Sequence, residues 1–136
     1  MPSIEAAIEA RGAAHAGLTA LITSGGKTRL YPEVAEQGAT LPYVTYSIIT
    51  DPPVHVMAAD KESQARVQFD VWASSWAIAK QVRDQLVACY DRLKGTFGGT
   101  VVDSVVCDNR GLTVQPEDAS LLPRITAEFT MTYYLT

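Results

Sequence analysis

Two stretches of strict polar–apolar alternation constrain the fold of this chain more than any other feature. The first covers residues 66–73, where the polar residues Arg66, Gln68 and Asp70 alternate with apolar ones. The second covers residues 125–135, where every other residue is apolar. Because successive side chains of a strand point to opposite faces, both stretches predict strands with one buried and one solvent-facing side.

Two other stretches carry apolar residues at every third or fourth position, and this spacing predicts helices over residues 2–23 and 75–94. Ser3 is a suitable N-terminal cap for the first helix, and Ser74 or Ser75 for the second. Glycines follow both stretches, as is typical of helix C-termini.

Further extended segments are predicted at residues 28–31, 43–49 and about 100–108, with a turn or bulge at residues 109–111. Strands are grouped instead of alternating strictly with helices, which favours an α+β fold. We therefore expect one domain over residues 1–136. It should have a mostly antiparallel sheet of about four strands, with two helices packed on one face.

Composition excludes several classes of protein. A hydrophobic fraction of 47% and a charged fraction of 19% predict a packed core in place of general disorder. A formal net charge of -4 argues against a protein that coats duplex DNA. No apolar run is long enough for a membrane span, and the first residues do not resemble a signal peptide. Cys89 and Cys107 are expected to be buried free thiols of a protein made in the bacterial cytoplasm.

None of the candidate metal-binding, nucleophilic or phosphate-binding residues has the sequence spacing that its chemistry requires. His15 and His55 lie in different predicted elements, and the chain has no HxH, HxxxH or CxxC pattern, so no metal site is expected. No serine lies in a nucleophile-elbow pattern, and Cys107 follows two valines, which favours an inert thiol. Residues 24–28 (SGGKT) resemble the end of a phosphate-binding loop, but Leu21 stands where its first glycine is needed.

The carboxylates Asp51, Asp60 and Asp70 are interpreted as solvated charges or interface salt bridges. Trp72, Trp76, Tyr133 and Tyr134 could stack on nucleobases, but without a basic groove we expect core or subunit contacts. We therefore expect no catalytic residue, no cofactor and no enzymatic activity. A small domain of this kind works by contact.

Two segments are candidates for such contacts. Pro32 and Pro42 bracket a loop whose shape they restrict, because proline fixes φ and biases the residue before it towards extended geometry. Residues 51–63 form a long polar segment with prolines at its base, which we expect to be an interface loop. Its candidate contact residues are Asp51, Pro52, Pro53, His55, Met57, Asp60 and Lys61.

The order of three motifs resembles one known family. Arg29-Leu30-Tyr31-Pro32, residues 37–46 (QGATLPYVTY) and residues 66–73 (RVQFDVWA) are similar to the tail-completion family of long-tailed bacteriophages. That family includes tail-tube terminators and head–tail joining proteins. The resemblance covers almost the whole chain, and it makes these motifs candidate subunit contacts: Arg29, Tyr31, Pro32, Gln37, Pro42, Arg66, Gln68, Asp70 and Trp72.

The resemblance implies a virion protein of a phage, prophage or gene transfer agent. It would form a ring, generally hexameric, at the head-proximal end of the tail tube. The ring would stop tube polymerisation and join the tube to the head connector, while DNA passes through its lumen without specific binding. Two alternatives stay open: a connector or stopper ring on the head side, and a cytosolic small-molecule-binding module or small hydrolase.

Overall fold

A computed structural model describes residues 3–24, 27–34, 40–51, 53–54, 62–114 and 123–134 of the chain. The helices are α1 (Ile4–Ala14), α2 (Ala16–Ile22) and α3 (Trp76–Tyr90). The strands are β1 (Thr23–Ser24), β2 (Lys27–Thr28), β3 (Leu30–Pro32), β4 (Tyr43–Thr50), β5 (Pro53–Val54), β6 (Glu62–Trp72), β7 (Gly95–Phe97), β8 (Thr100–Val114) and β9 (Arg124–Tyr134). Within these residues no helix is both long and apolar enough to cross a membrane.

The two alternating stretches become the central strands, β6 and β9. They pair antiparallel without a break, from Glu62 opposite Tyr134 to Trp72 opposite Arg124. The odd-numbered residues of both strands are buried, as the alternation predicts. β6 begins at Glu62, earlier than expected, so the segment between β4 and β6 is shorter than the predicted loop.

The remaining strands extend this pair on both sides. The strand order is β3-β4-β6-β9-β8-β7, and β5 pairs with β6 where β4 ends. β3 is parallel to β4, and the other pairs of this sheet are antiparallel. The α+β class is confirmed, but the expectation of about four strands was too low. β3, β5 and β7 have only two or three residues each, too few to show an alternating pattern.

The predicted helix over residues 2–23 is two helices. His15 adopts an extended conformation, with φ −89° and ψ 107°, which ends α1 and begins α2. Its Nδ1 accepts a hydrogen bond from the Leu18 N–H at 3.2 Å, so His15 is the N-terminal cap of α2. Ser3 caps α1 and Ser75 caps α3 through their side-chain oxygens, as the sequence suggested.

The three helices pack on one face of the sheet, where their apolar residues join the inward side chains of the strands in one core. Phe69, Tyr90 and Phe129 form an aromatic cluster at its centre, with ring centroids 5.0 Å apart for Phe69–Tyr90 and 5.4 Å for Phe69–Phe129. The Tyr90 hydroxyl donates to the Ile8 carbonyl at 2.6 Å and so joins α3 to α1. The assignment of residues 1–136 to one domain stays a prediction.

The sheet curls around α1. This helix contacts β3 at one end of the strand order and β7 and β8 at the other. Two glycines permit the close approach: a Cβ on Gly12 would lie 2.8 Å from both Leu30 Cδ2 and the Tyr90 hydroxyl, and one on Gly98 would lie 2.7 Å from the Ala6 carbonyl oxygen. Gly98 also has φ +57°, a conformation that other residues rarely adopt.

β8 continues to Val114, beyond the predicted end near residue 108. Its register against β9 shifts on both sides of Asn109, which confirms the bulge predicted at residues 109–111. At the Arg124 end of the sheet, β8 therefore pairs with β9 as far as Val114 opposite Arg124, and β4 pairs with β6 at Tyr43 opposite Trp72.

Candidate assembly interface

The face of the sheet opposite the helices is the broadest candidate contact surface. In the described part of the chain no helix packs on it, and its central rows come from the even-numbered residues of β6 and β9. Three of the predicted contact residues, Arg66, Gln68 and Asp70, lie side by side on it. Cross-strand neighbours on this open face are close enough to interact directly.

The polar groups of the open face bind one another. Arg66 pairs with Glu128 at 3.0 Å across β6 and β9. Asp70 accepts a hydrogen bond from the Thr126 hydroxyl at 2.6 Å and a longer one from the Gln68 side chain at 3.3 Å. Asp70 therefore has hydrogen-bonded neighbours within its own subunit, and its expected interface role stays a prediction.

One corner of the open face is aromatic. Trp72 stacks on Tyr43 with a centroid distance of 6.3 Å, and Tyr43 meets the edge of Tyr31 at 6.1 Å. The guanidinium carbon of Arg124 lies 5.2 Å from the Trp72 ring centroid, within cation–π range. The buried Nε of Arg124 has no hydrogen-bond partner among the described residues. The alternation in β9 placed Arg124 on this face, but the sequence did not reveal its contact with Trp72.

The segment Arg29-Leu30-Tyr31-Pro32 acts inside the fold. Arg29 is buried and donates from Nε to the Pro42 carbonyl at 2.9 Å and from Nη2 to the Leu21 carbonyl at 3.3 Å. It thus joins the last turn of α2 to the start of β4. Tyr31 is buried as well, whereas Pro32 is exposed. Subunit contacts by these residues stay a prediction, and Gln37 lies outside the described residues.

The base of the predicted interface loop is fixed by Tyr133, for which a core or subunit contact was expected, and by Ser63, which the sequence did not single out. Asp51 accepts a hydrogen bond from the Tyr133 hydroxyl at 2.6 Å, and another from the Ser63 hydroxyl. Burial, followed by the bond to Asp51, raises the pKa of Tyr133 to about 12. Pro53 begins β5 opposite Ser63.

The other predicted loop residues lie outside the described residues: Pro52, His55, Met57, Asp60 and Lys61. Asp51 and Pro53 therefore show how the chain enters this segment. One sequence signal could have indicated the hydrogen bonds to Asp51. Ser63 and Tyr133 carry hydroxyl groups at buried positions of alternating strands, where a polar group needs a hydrogen-bond partner.

Four large apolar side chains are exposed in the described part of the chain. Their exposed fractions are 78% for Val34, 51% for Ile49, 40% for Val101 and 56% for Val106. The sequence did carry a signal for three of them. Ile48-Ile49, Val101-Val102 and Val105-Val106 are apolar pairs in strands, and alternation must turn one member of each pair outwards.

The thiols and other ligating groups offer little chemistry in the described residues. Burial raises the pKa of Cys89 to about 11, and burial with the nearby Asp91 carboxylate raises the pKa of Cys107. Both thiols therefore stay protonated at neutral pH, as expected of non-nucleophilic cysteines. Cys107 is only half-buried, less than predicted. Within the described ranges no three His, Cys, Asp or Glu side chains are grouped to hold a metal ion.

One face of the sheet is covered by helices, the other is open and polar, and apolar residues are exposed at its margins. This arrangement is typical of the class of proteins that act by binding other proteins. The sequence profile of one family, described as tail completion protein gp17, matches residues 6–126. The chain belongs to this family, as the motifs suggested, and it is accordingly a structural protein of a phage-type tail, located in the virion particle.

Solved structures share the fold. A chain of the virion of a native gene transfer agent particle superposes with a TM-score of 0.72 at 17% sequence identity, covering 97% of this chain and 95% of that one. A second solved chain covers 94% of this chain, with 92% of its own length, at a TM-score of 0.50 and 16% identity. A search of curated protein sequences gives no significant match.

Proposed function

We propose that this chain is a non-enzymatic tail terminator. Six copies form a ring on the head-proximal end of the tail tube, where the ring stops tube polymerisation and provides the joint to the head connector. Membership of the tail completion family carries this proposal. The likeness in fold to a chain of a gene transfer agent virion, over nearly the full length of both chains, supports it.

The distribution of surface features agrees with a ring subunit. A ring needs two different contact patches on each copy, because a head-to-tail contact closes by rotation. The strand order has unlike ends, a parallel edge at β3–β4 and an antiparallel one at β7–β8. The centre of the open face between these ends is polar and its Arg66, Glu128 and Asp70 side chains bind within the subunit, as suits a surface that meets solvent or a polar partner.

The segment that follows Asp51 is proposed to contact the tail tube. Its base is held by Tyr133 on β9 and Ser63 on β6, two central strands, so the chain leaves the sheet from a defined point. Anchoring at the base limits the directions in which a loop extends, and a contact made by such a loop loses less conformational entropy on binding.

DNA is proposed to pass through the lumen of the ring without specific binding. Specific or tight binding would require a surplus of Lys and Arg against the phosphates. The chain has 11 Lys and Arg against 15 Asp and Glu, which favours weak attraction. Passage would then be independent of DNA sequence.

The test is a tube-assembly assay. Purified tail-tube subunits are polymerised with and without this chain, and tube lengths and ends are recorded by electron microscopy. We expect shorter tubes that carry an extra ring of density at one end only. Unchanged lengths and bare ends would refute the terminator function, and density on an isolated head connector would favour the head-side stopper.

A matched variant tests the loop. Residues 55–60 are replaced by Gly and Ser in equal number, which leaves Asp51 and β5 unchanged. We expect normal thermal unfolding, since the sequence predicts a polar loop here and such loops tolerate substitution better than core strands, together with loss of tube capping. The control is Lys80→Ala on the exposed side of α3. If the loop variant caps tubes as well as the control does, the loop does not contact the tube.

A further inference from the structure

We propose that neighbouring copies join head to tail through the two ends of the sheet. The β3–β4 end, defined by Glu33, Val34 and Ile49, binds the β8 end of the next copy, defined by Arg92, Lys94, Val101 and Val106. This inference rests on the ring proposed above and adds the surfaces by which it closes. The occupant of each end is therefore a second copy of this chain.

The exposed apolar side chains carry the argument. All four that are exposed in the described residues belong to these ends, two to each. The central strands β6 and β9 and the helices carry none among their described positions. An apolar pair at either end can form the water-excluded centre of a contact, where most of the binding energy of an interface resides.

At both ends, part of the strand edge has no neighbouring strand among the described residues. β3 accompanies β4 only as far as Tyr46, so residues 47–50 of β4 have no neighbouring strand on that side among the described residues. β7 accompanies β8 only over Thr100–Val102. Edge N–H and C=O groups attract another strand, and in stable proteins such edges are covered or paired. A second copy of the sheet supplies a matching edge.

The edge of β8 is partly covered by its own chain. The Arg92 N–H donates to the Val105 carbonyl at 2.9 Å, and the Asp91 carboxylate accepts from the Cys107 N–H at 3.0 Å. These two bonds place the segment between α3 and β7 alongside β8. Arg92 and Lys94 are therefore exposed next to the apolar pair of this end.

Charges at the two ends are complementary where they are still available. Glu33 is exposed and has no ion-pair partner among the described residues. At the β8 end, Asp84 already binds Arg83 and Arg110, and the Asp108 carboxylate accepts from Thr130. Arg92 and Lys94 are exposed at this end, where Asp91 and Asp103 are half-buried and Asp108 keeps its negative charge. Glu33 of one copy can pair with the exposed Arg92 or Lys94 of the next, whereas two β3–β4 ends would oppose Glu33 to itself.

Two half-blocked variants test this arrangement. One carries Val34→Asp with Ile49→Asp, and the other carries Val106→Asp with Lys94→Glu. Lys80→Glu, a charge reversal on the exposed side of α3, is the control, and thermal unfolding checks that each variant folds. Assembly is measured by native mass spectrometry, for the chain alone and in the presence of tail tubes.

We expect each half-blocked variant to lose ring assembly at least about tenfold, as removal of central interface contacts does. An equimolar mixture of the two should form dimers with one copy of each variant, and nothing larger, because one intact β3–β4 end meets one intact β8 end. This product distinguishes a head-to-tail contact from a contact of like surfaces, which gives no mixed dimer.

A failure of this inference can be distinguished from a failure of the proposed function. If the wild type forms rings and both variants do so equally well, the contact lies elsewhere, while the terminator function stands. If one variant dimerises with itself, the contact is between like surfaces and the inference is wrong. If the wild type forms no ring either alone or on tubes, the proposed function fails and the inference fails with it.

Discussion

Replacing Gly12 by alanine should destabilise this protein, although the same change in an isolated helix would stabilise it. Gly12 lies in the third and last turn of α1 and is buried. Alanine has the higher helix propensity, worth about 1 kcal/mol. The added methyl group, however, would lie 2.8 Å from both the Tyr90 hydroxyl and Leu30 Cδ2. The sign depends on which of these neighbours can move.

Tyr90 cannot move freely. Its hydroxyl is held by the Ile8 carbonyl at 2.6 Å, and its ring stacks on Phe69 with a centroid distance of 5.0 Å. Leu30 Cδ2 is the end of a flexible side chain and can shift more readily. Overpacking of a well-packed core costs roughly 1–3 kcal/mol. Subtracting the gain in propensity leaves an expected loss of about 1 kcal/mol, or roughly 4 °C in the melting temperature.

Gly17→Ala is the matched control. Its methyl group would meet Gln85 Oε1 and the His15 ring, but Gln85 Oε1 is the end of a half-exposed side chain that can rotate away. The His15 ring, at 3.2 Å from the new methyl group, must shift slightly, so the gain in helix propensity should dominate with a stabilisation of roughly half a kcal/mol. Urea unfolding followed by circular dichroism measures both free energies of unfolding on the same scale.

A double variant identifies the clashing atom. Tyr90→Phe removes the hydroxyl that opposes the new methyl group, so Gly12→Ala should cost less in that background than in the wild type. A double-mutant cycle gives the coupling energy. If Gly12→Ala is as stabilising as Gly17→Ala, or if the cycle shows no coupling, the argument from close packing of α1 against α3 is wrong.

Three further changes test other parts of the fold. Ser75→Ala should lower the free energy of unfolding by about 1 kcal/mol, because Ser75 caps α3, while the exposed neighbour Ser74→Ala should have little effect in the same urea titration. His15 must be neutral to cap α2, and burial, followed by Arg11, lowers its pKa, so the stability of the protein should fall as pH decreases below about 6.5. His15→Asn should keep the cap and remove this pH dependence. A pH profile of stability that is unchanged in the variant would contradict the role of His15 as the cap. Tyr133→Phe should lower the free energy of unfolding by about 1 kcal/mol, because it removes the hydrogen bond to Asp51. It should also reduce the loss of stability between pH 10 and pH 12, since the pKa of Tyr133 is raised in the folded state. Equal stability profiles of variant and wild type at alkaline pH would refute that hydrogen bond.

Alternation made the centre of the fold predictable. In β6 and β9 the polar or apolar character of nearly every residue indicates the face of the sheet on which its side chain lies, because a strand buried on one side alternates polar and apolar residues. The same reasoning identified α3 and its cap. The break at His15 was missed because the apolar spacing continues across it, and a histidine cap resembles any polar residue of a helix in the sequence.

The candidate interface was only partly predictable. The sequence indicated the outward residues of β6, and it indicated Asp51 as the start of a contact segment. The resemblance made Arg29 a candidate subunit contact, which stays a prediction, and the structure adds that its guanidinium is buried against the Pro42 and Leu21 carbonyls. A buried arginine is rare, and only the tertiary arrangement brings together the acceptors that compensate its desolvation.

The sequence by itself determined the class of fold, the two central strands, the third helix and the family, because each depends on local periodicity or on the order of motifs. The tertiary structure alone decided which strands form the ends of the sheet and which member of each apolar pair is exposed there. It also decided that Tyr133 and Ser63 fix Asp51. These features depend on contacts between residues far apart in the chain, and no local pattern encodes them.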